Sequence, residues 1–241
     1  MGVISTFHQK EDPLTIGVIG SVIGTDQKLI ASIKNALAFD EIEIANHSWR
    51  HAVYPKMTRS EQQADLIQTN NKISELFGVT PTTFIPPQNQ YNNDTLSVLH
   101  SNGFTHISSG EIGATEEPKK FQKSLFYEFP AFAYTAKLNP DTGYWKHLSN
   151  TQTIDQINDS IFNYGYAVVM LHPYEFSIYE NGGYSNKPNM TKINDLGLLI
   201  DKVRSEGYTL STIDAIQNFD LPNSNTNAKR SEEHTSELQS H

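Results

Sequence analysis

The chain contains no cysteine, and this absence limits the kinds of site that it can build. Without thiolates there is neither a disulfide nor a cysteine-ligated metal site, so a metal ion would have to be held by histidine and carboxylate side chains. Nine histidines are present. Cysteine usage leaves the cellular compartment open, and we assign none.

Long apolar runs and basic clusters are also absent. Nowhere do eighteen apolar residues follow one another, and no basic segment with a long apolar stretch after it lies near Met1, so no membrane span is predicted. The 18 Lys and Arg against 27 Asp and Glu give a formal charge of −9 without a basic patch. Nucleic acid is therefore not an expected partner, and the oligomeric state is left open.

Apolar, β-prone runs alternate with helix-like segments along most of the chain. The seven runs are LTIGVIG (14–20), EIEIANH (41–47), TTFIPP (82–87), THISSG (105–110), LFYEFPAF (125–132), YAVVMLHP (166–173) and GYTLSTI (207–213). The clearest helix signal is a capping-box pattern at Thr58 and Glu61, before an apolar stripe that ends at Gly78. Alternating strands and helices predict an α/β fold with parallel pairing, either a doubly wound sheet or a (β/α) barrel, in one domain over 1–217.

The end of the sequence differs in character from the rest. Residues 218–241 begin with a polar, Asn-rich stretch without an apolar face, which predicts a disordered tail. The segment RSEEHTSELQSH (230–241) resembles a translated sequencing adapter, so we interpret it as artefactual. His234 and His241 are therefore left out of any metal argument.

Two histidines four residues apart lie where a predicted strand ends. His47 and His51 stand in NHSWRHAVY, directly after EIEIA, and such a spacing allows two imidazoles to share a divalent metal ion. Chance alone would give about 0.3 such pairs, so the pair needs support. That support comes from Pro86 and His172, which close two other predicted strands, because carboxyl ends of parallel strands meet at one edge.

Three motifs together suggest a family. His47-Ser48-Trp49-Arg50-His51 matches H-[ST]-x-x-H, Leu171-His172-Pro173 matches L-H-P, and Phe84-Ile85-Pro86-Pro87-Gln88-Asn89 falls where R-x-P-[FY] would lie. With these motifs the chain resembles the polysaccharide deacetylases of the NodB homology type, carbohydrate esterase family 4, over roughly residues 3–217. The resemblance implies a distorted (β/α) barrel.

The resemblance also implies roles for individual residues. His47 and His51 would bind a divalent metal, most readily Zn²⁺, which polarises a carbonyl and lowers the pKa of its bound water to about 7. His172 would protonate the leaving group of an N-acetylated or O-acetylated carbohydrate, or of another small acetylated substrate. The residues expected to contact substrate are Trp49, Pro87, Gln88, Asn89 and Leu171, with Tyr144 and Trp145 as further candidates for stacking on sugar rings.

The sequence departs from the family pattern at two points. Family members carry an Asp-Asp motif on a first strand that supplies the base and a metal ligand, and no such pair occurs here. Ile85 stands where an arginine is usual. We therefore expect Met1 to be an internal methionine of a longer gene, with the first strand absent and activity impaired. Two alternatives stay open, a hydrolase of another non-peptide C–N bond on the same fold and a non-catalytic carbohydrate-binding barrel.

Overall fold

A computed structural model of the chain describes residues 2–39, 41–109, 119–121, 126–130 and 132–216. The first half contains α1 (Val3–Lys10), β1 (Leu14–Val18), α2 (Gln27–Leu37), β2 (Ile42–Asn46), α3 (Arg59–Phe77), β3 (Thr83–Phe84), α4 (Asn93–Ser101) and β4 (His106–Ile107). The second half contains β5 (Lys119–Phe121), β6 (Phe126–Glu128), β7 (Ala133–Tyr134), β8 (Ala136–Leu138), β9 (Trp145–His147), α5 (Asn150–Tyr164), β10 (Val169–Met170), β11 (Ser177–Glu180), β12 (Gly183–Pro188) and α6 (Met190–Ser205). The predicted tail at 218–241 lies outside the described residues.

The central layer is a mainly parallel sheet, as the alternation of strands and helices predicted. Its strand order is β1-β2-β3-β4-β6-β5, and only β5 runs antiparallel to its neighbour. A second parallel pair joins β7 to β10. Within the described ranges no ladder links this pair to β1 or β6, so hydrogen bonding does not close the distorted barrel there.

Strand β2 lies between β1 and β3 in the sheet and carries the candidate site at its end. All five of its residues are buried, as expected of a parallel strand that is covered on both faces. Ile42 and Ile44 pack with Val18 of β1, Ile33 of α2 and Ile73 of α3. This packing fixes the position of the loop that begins at His47.

The helix ends follow from the sequence signals. Thr58 and Glu61 form the reciprocal capping box before α3, and Gly78 ends that helix with φ 73°, a left-handed conformation that costs glycine little. Ser149 and Gln152 form a second capping box before α5. No helix among the described residues is long and apolar enough to cross a membrane.

The prediction of a strand at 207–213 is wrong. This segment has no ladder partner, and at its end side chains of β1 and β2 bind the backbone. Glu43 Oε2 accepts hydrogen bonds from the Ile213 and Asp214 amides at 3.0 and 3.2 Å, and Thr15 Oγ1 accepts one from Ile213 at 3.0 Å. The run LFYEFPAF (125–132), predicted as one strand, contains only the short strand β6 and ends before β7, with Pro130 between the two strands.

Two antiparallel hairpins, which the sequence pattern did not reveal, accompany the parallel strands. Strands β8 and β9 form the first, and β11 and β12 form the second. The hairpins contact each other, since the Tyr184 hydroxyl accepts a hydrogen bond from the Trp145 amide at 2.8 Å. The second hairpin follows directly after His172, so both lie beside one of the predicted site residues.

Candidate active site

His47 is the first residue after β2, and its environment fixes its tautomer. Its Nδ1 lies 2.6 Å from the backbone oxygen of Ile85, and because a carbonyl only accepts, Nδ1 carries the proton. Nε2 therefore keeps a free lone pair. Burial, aided by the nearby His51 and His172, lowers the pKa of His47 to about 4. The imidazole is thus neutral at physiological pH, the form that a metal ligand requires.

His51 lies on the same side of the loop as His47. The two ring centroids are 4.8 Å apart, with the planes inclined at 74°. Partial burial and the proximity of His172 lower the pKa of His51. His172 is therefore close enough to both His47 and His51 for its charge to affect their pKa values.

Asn46 and Asp65 hold the histidine loop against α3. Asn46 accepts a hydrogen bond from the Ser48 amide at 2.8 Å and donates to the Leu66 carbonyl at 3.1 Å. Asp65 Oδ1 accepts from the Trp49 amide at 2.8 Å and from the Tyr54 hydroxyl at 2.9 Å. Sequence reasoning missed both residues. Asn46 could have been noticed as a buried polar residue that ends an apolar strand.

Trp49, predicted to contact substrate, packs partly on the loop after β1. A Cβ placed on Gly20 would lie 2.5 Å from Cε3 of the indole, closer than side-chain carbons approach. The Gly20 amide donates to the Ser48 carbonyl at 3.1 Å and the Ser21 amide donates to the Trp49 carbonyl at 2.8 Å. Gly20 is therefore required for the close approach of the two loops.

Replacing Gly20 by alanine is expected to lower the free energy of unfolding by about 1 to 3 kcal/mol, because the added methyl group overpacks against Trp49. Urea unfolding measures the loss. The control is Gly183→Ala, at a position where the added Cβ meets nothing within 4 Å. Equal midpoints for the two variants would contradict the packing argument.

The predicted wall at 87–89 adjoins His47 through the Ile85 carbonyl. Pro87 is buried, Gln88 is exposed and Asn89 is half-buried. Gln88 and Asn89 have φ values of 53° and 58°. Ser48 and His51, in the histidine loop, have φ values of 66° and 57°.

Left-handed backbone is concentrated in these two loops. They contain four of the six non-glycine residues with positive φ in the described part of the chain. Such conformations cost energy in most residues and persist where the surroundings impose them, often at functional sites. Their clustering beside the histidines supports a functional assignment of this edge.

His172 is held by a carboxylate that sequence reasoning missed. Its Nδ1 lies 2.8 Å from Glu175 Oε1, and its backbone amide donates to the same oxygen at 3.1 Å. Glu175 is 1% exposed, and its Oε2 accepts a hydrogen bond from Thr135 Oγ1 at 2.8 Å. Since Nδ1 donates to the carboxylate, Nε2 is left as the free nitrogen. The signal was the i, i+3 spacing of His172 and Glu175 on one short turn.

Leu171 and Trp145 make different kinds of contact near His172. Leu171 packs against the core cluster that contains Phe176 and Ile200, so part of its side chain is used for packing. The Trp145 ring centroid is 4.5 Å from that of His172. The aromatic contact therefore borders the candidate site more directly than the leucine does.

A family match covers the part of the chain that carries the histidine pair. Residues 2–107 match the sequence model described as "Polysaccharide deacetylase". This part of the chain is therefore similar in sequence to polysaccharide deacetylases. The matched region includes the H-S-W-R-H motif and the Pro86-Pro87 loop, whereas Leu171-His172-Pro173 lies beyond it.

Solved structures of deacetylase-like proteins share the fold over most of the chain. A candidate polysaccharide deacetylase from Mycobacterium smegmatis is 18% identical with a TM-score of 0.63, covering 88% of this chain and 73% of its own. A cobalt-bound family 4 acetyl xylan esterase from Clostridium thermocellum is 16% identical with a TM-score of 0.58, covering 88% and 80%. A family 4 pseudoenzyme from Bacillus anthracis is 15% identical with a TM-score of 0.58, covering 90% and 61%. At these identities the likeness establishes the fold.

The described residues supply two candidate metal ligands. No group of three or more His, Cys, Asp or Glu side chains in the described ranges is arranged to hold a metal ion. Catalytic zinc sites generally use three protein ligands and an open position. His47 has a free Nε2 and an oriented ring, and His51 lies beside it, so the two histidines fit part of such a site. A third protein ligand is not found among the described residues.

Proposed function

We propose that the chain is a metal-dependent hydrolase that removes acetyl groups from an acetylated carbohydrate. The observation that carries this proposal is the convergence of three histidines from two strand ends. His47 and His51 face each other at 4.8 Å between ring centroids, and His172 is near enough to lower the pKa of both. The match of residues 2–107 to the polysaccharide deacetylase sequence model supports a hydrolase of this class.

His47 and His51 would hold a divalent ion, most readily Zn²⁺. When bound, the ion would polarise the acetyl carbonyl and make a water molecule acidic enough to lose a proton near neutral pH. The hydrogen bond from His47 to the Ile85 carbonyl orients the ring, as the hydrogen-bond partners of metal-binding histidines commonly do. The His47 ring is thereby oriented for metal binding in the absence of an ion.

His172 would deliver a proton to the leaving nitrogen or oxygen from Nε2. Glu175 orients its ring and stabilises the imidazolium form, because the carboxylate accepts a hydrogen bond from Nδ1 at 2.8 Å. Thr135 keeps the second carboxylate oxygen occupied, which fixes the carboxylate plane. Glu175 is therefore a positioning residue that acts through His172.

Acetate release from N-acetylglucosamine oligomers and from acetylated xylan tests the proposal. Zinc-supplemented protein should release acetate slowly, because the sequence contains no Asp-Asp motif to supply the base, and the same protein after chelation should release none. Absence of release from both substrates with zinc present would contradict it. Comparison of the two substrates also separates amide from ester cleavage, which the histidine geometry does not distinguish.

A non-catalytic carbohydrate-binding protein is the second candidate. Two observations favour it: no third metal-binding group accompanies the histidine pair in the described residues, and the sequence contains no Asp-Asp motif. A pseudoenzyme is among the proteins that share the fold. Oligosaccharide binding without acetate release in zinc would identify this second function.

Replacing Glu175 by glutamine should reduce kcat for an N-acetylated substrate by about 10 to 100-fold, because a neutral amide stabilises the imidazolium form of His172 less well. An activated aryl acetate needs no proton on its leaving group, so its hydrolysis should change little. The control is Glu180→Gln, at a carboxylate that is 48% exposed on β11. Equal losses on both substrates would point to a merely structural role for Glu175.

A further inference from the structure

A cavity of about 290 Å³ lies between α5 and α6, and we call it the α5–α6 cavity. Its polar side chains include His147 on β9 and both Lys192 and Asp195 on α6. Its apolar wall is formed by Leu148, Phe176, Leu196 and Leu199. None of the three histidines of the candidate active site lines this cavity, so a ligand bound there would occupy a separate site.

Lys192 carries a positive charge at the cavity wall, and no ion pair neutralises it within the described ranges. Its Nζ donates one hydrogen bond, to the Glu175 carbonyl at 2.8 Å, so two of its three N–H groups remain. Burial lowers the pKa of Lys192, whereas the nearby Glu175 carboxylate favours the charged form. The ammonium group is therefore held in place with donors available to an anionic group of a ligand.

Asp195 supplies the opposite charge on the same helix. It follows Lys192 by three residues, a spacing that places two side chains on one helix face. The two side chains nevertheless form no ion pair, and Lys192 Nζ donates to the Glu175 carbonyl instead. The Asp195 backbone oxygen accepts a hydrogen bond from Asn150 Nδ2 at 2.9 Å, which joins α6 to the start of α5. Its exposed carboxylate has no partner in the part of the chain that the structure describes.

His147 lies close to both charges. Its Nε2 is 3.1 Å from the Glu175 carbonyl oxygen, so Nε2 carries the proton and Nδ1 keeps a free lone pair. Burial and the nearby Lys192 lower the pKa of His147, whereas the carboxylates of Glu175 and Asp195 oppose this change. The neutral imidazole therefore adds a hydrogen-bond acceptor to the cavity without adding charge.

We infer that the α5–α6 cavity binds a small aliphatic α-amino acid in its zwitterionic form. Lys192 would bind the carboxylate of the ligand, Asp195 would bind its ammonium group, and the apolar wall would receive its side chain. A ligand with a single charge would leave one of the two protein charges without a partner. The cavity volume is near the lower end of the range for small-molecule sites, about 300 Å³, which favours a ligand of this size. The inference does not rest on the proposed hydrolase function.

NMR titration of the full chain with L-valine tests the inference. Isobutylamine, which lacks the carboxylate, and isovalerate, which lacks the ammonium group, serve as the two comparison ligands. L-Valine should bind about tenfold or more tightly than either, because each comparison ligand loses one hydrogen-bonded charge. Lys192→Met and Asp195→Asn should each weaken L-valine binding by about tenfold or more for the same reason.

The controls are Lys146→Met on β9 and Asp155→Asn on α5, which remove the same charges from exposed positions outside the cavity. Both should keep the affinity for L-valine, and circular dichroism confirms that each variant is folded. The inference is overturned if L-valine does not bind, if either comparison ligand binds equally well, or if either cavity variant keeps full affinity. Equal weakening in the control variants would also overturn it. L-Valine binding without acetate release in zinc would contradict the proposed catalysis and leave the inference standing.

Discussion

Replacing His51 by asparagine should abolish zinc-dependent acetate release, with an expected loss on the order of 10³-fold. Lewis-acid stabilisation of the transition state is worth several kcal/mol, and each 1.36 kcal/mol corresponds to a factor of ten in rate. Asparagine is preferred to alanine because His51 has a φ of 57°, a left-handed conformation that asparagine tolerates. The rate loss then reports the missing imidazole and little backbone strain.

Zinc titration and acetate release should be measured on the same protein preparations. Zinc restored after chelation should recover activity in the unaltered chain and leave His51→Asn inactive. The control is His100→Asn, which removes an exposed histidine from α4. Full activity of His51→Asn, or of the chelated chain, would refute the role of the histidine pair in metal binding.

The sequence predicted the features that depend on local spacing. The strand EIEIA with His47 and His51 after it, the capping box at Thr58 and the α/β alternation all follow from residues close together in the chain, and the structure has the strand, the cap and the alternation. The roles of the two histidines stay predictions. Local patterns were sufficient here because the strand is buried on both faces and the helices α2 and α3 flank it in the chain.

Features that depend on tertiary contacts were missed or predicted wrongly. Residues 207–213 have the composition of a strand, yet Glu43 and Thr15 bind the backbone near Ile213 and leave no ladder. Nothing in the sequence indicates that Glu175 is buried, and its role depends on that burial beside His172. Both cases involve a buried carboxylate. The partner of Glu43 lies far along the chain, and Glu175 lies on a short turn that the hydrophobic pattern does not reveal.

The left-handed residues of the two loops are a further feature that local sequence does not predict. Gln88 and Ser48 are not residues that favour positive φ, and no local rule predicts that they adopt it. The hydrogen bond that His47 donates to the Ile85 carbonyl joins the two loops, and the one that the Ser48 amide donates to Asn46 Oδ1 shapes the histidine loop. The site geometry is therefore a property of the loop pair, which the sequence of either loop alone does not specify.

Replacing His172 by alanine should lower kcat for an N-acetylated substrate by about 10² to 10⁴-fold, the usual contribution of general acid catalysis. An amide nitrogen leaves poorly without a proton, whereas an activated aryl oxide leaves readily, so hydrolysis of an aryl acetate should be affected far less. Zinc affinity should not change, because His47 and His51 are untouched. An equal loss on both substrates would contradict a role as proton donor.

Combining His172→Ala with Glu175→Gln tests whether the carboxylate acts only through the imidazole. Glu175 accepts hydrogen bonds from both Nδ1 and the backbone amide of His172, so its substitution should cost activity while the imidazole is present. In the His172→Ala background the same substitution should have almost no further effect on kcat, since residues that act as one unit are not additive. Additive losses in the double variant would mean that Glu175 has a separate effect, and the positioning role proposed for it would then be wrong.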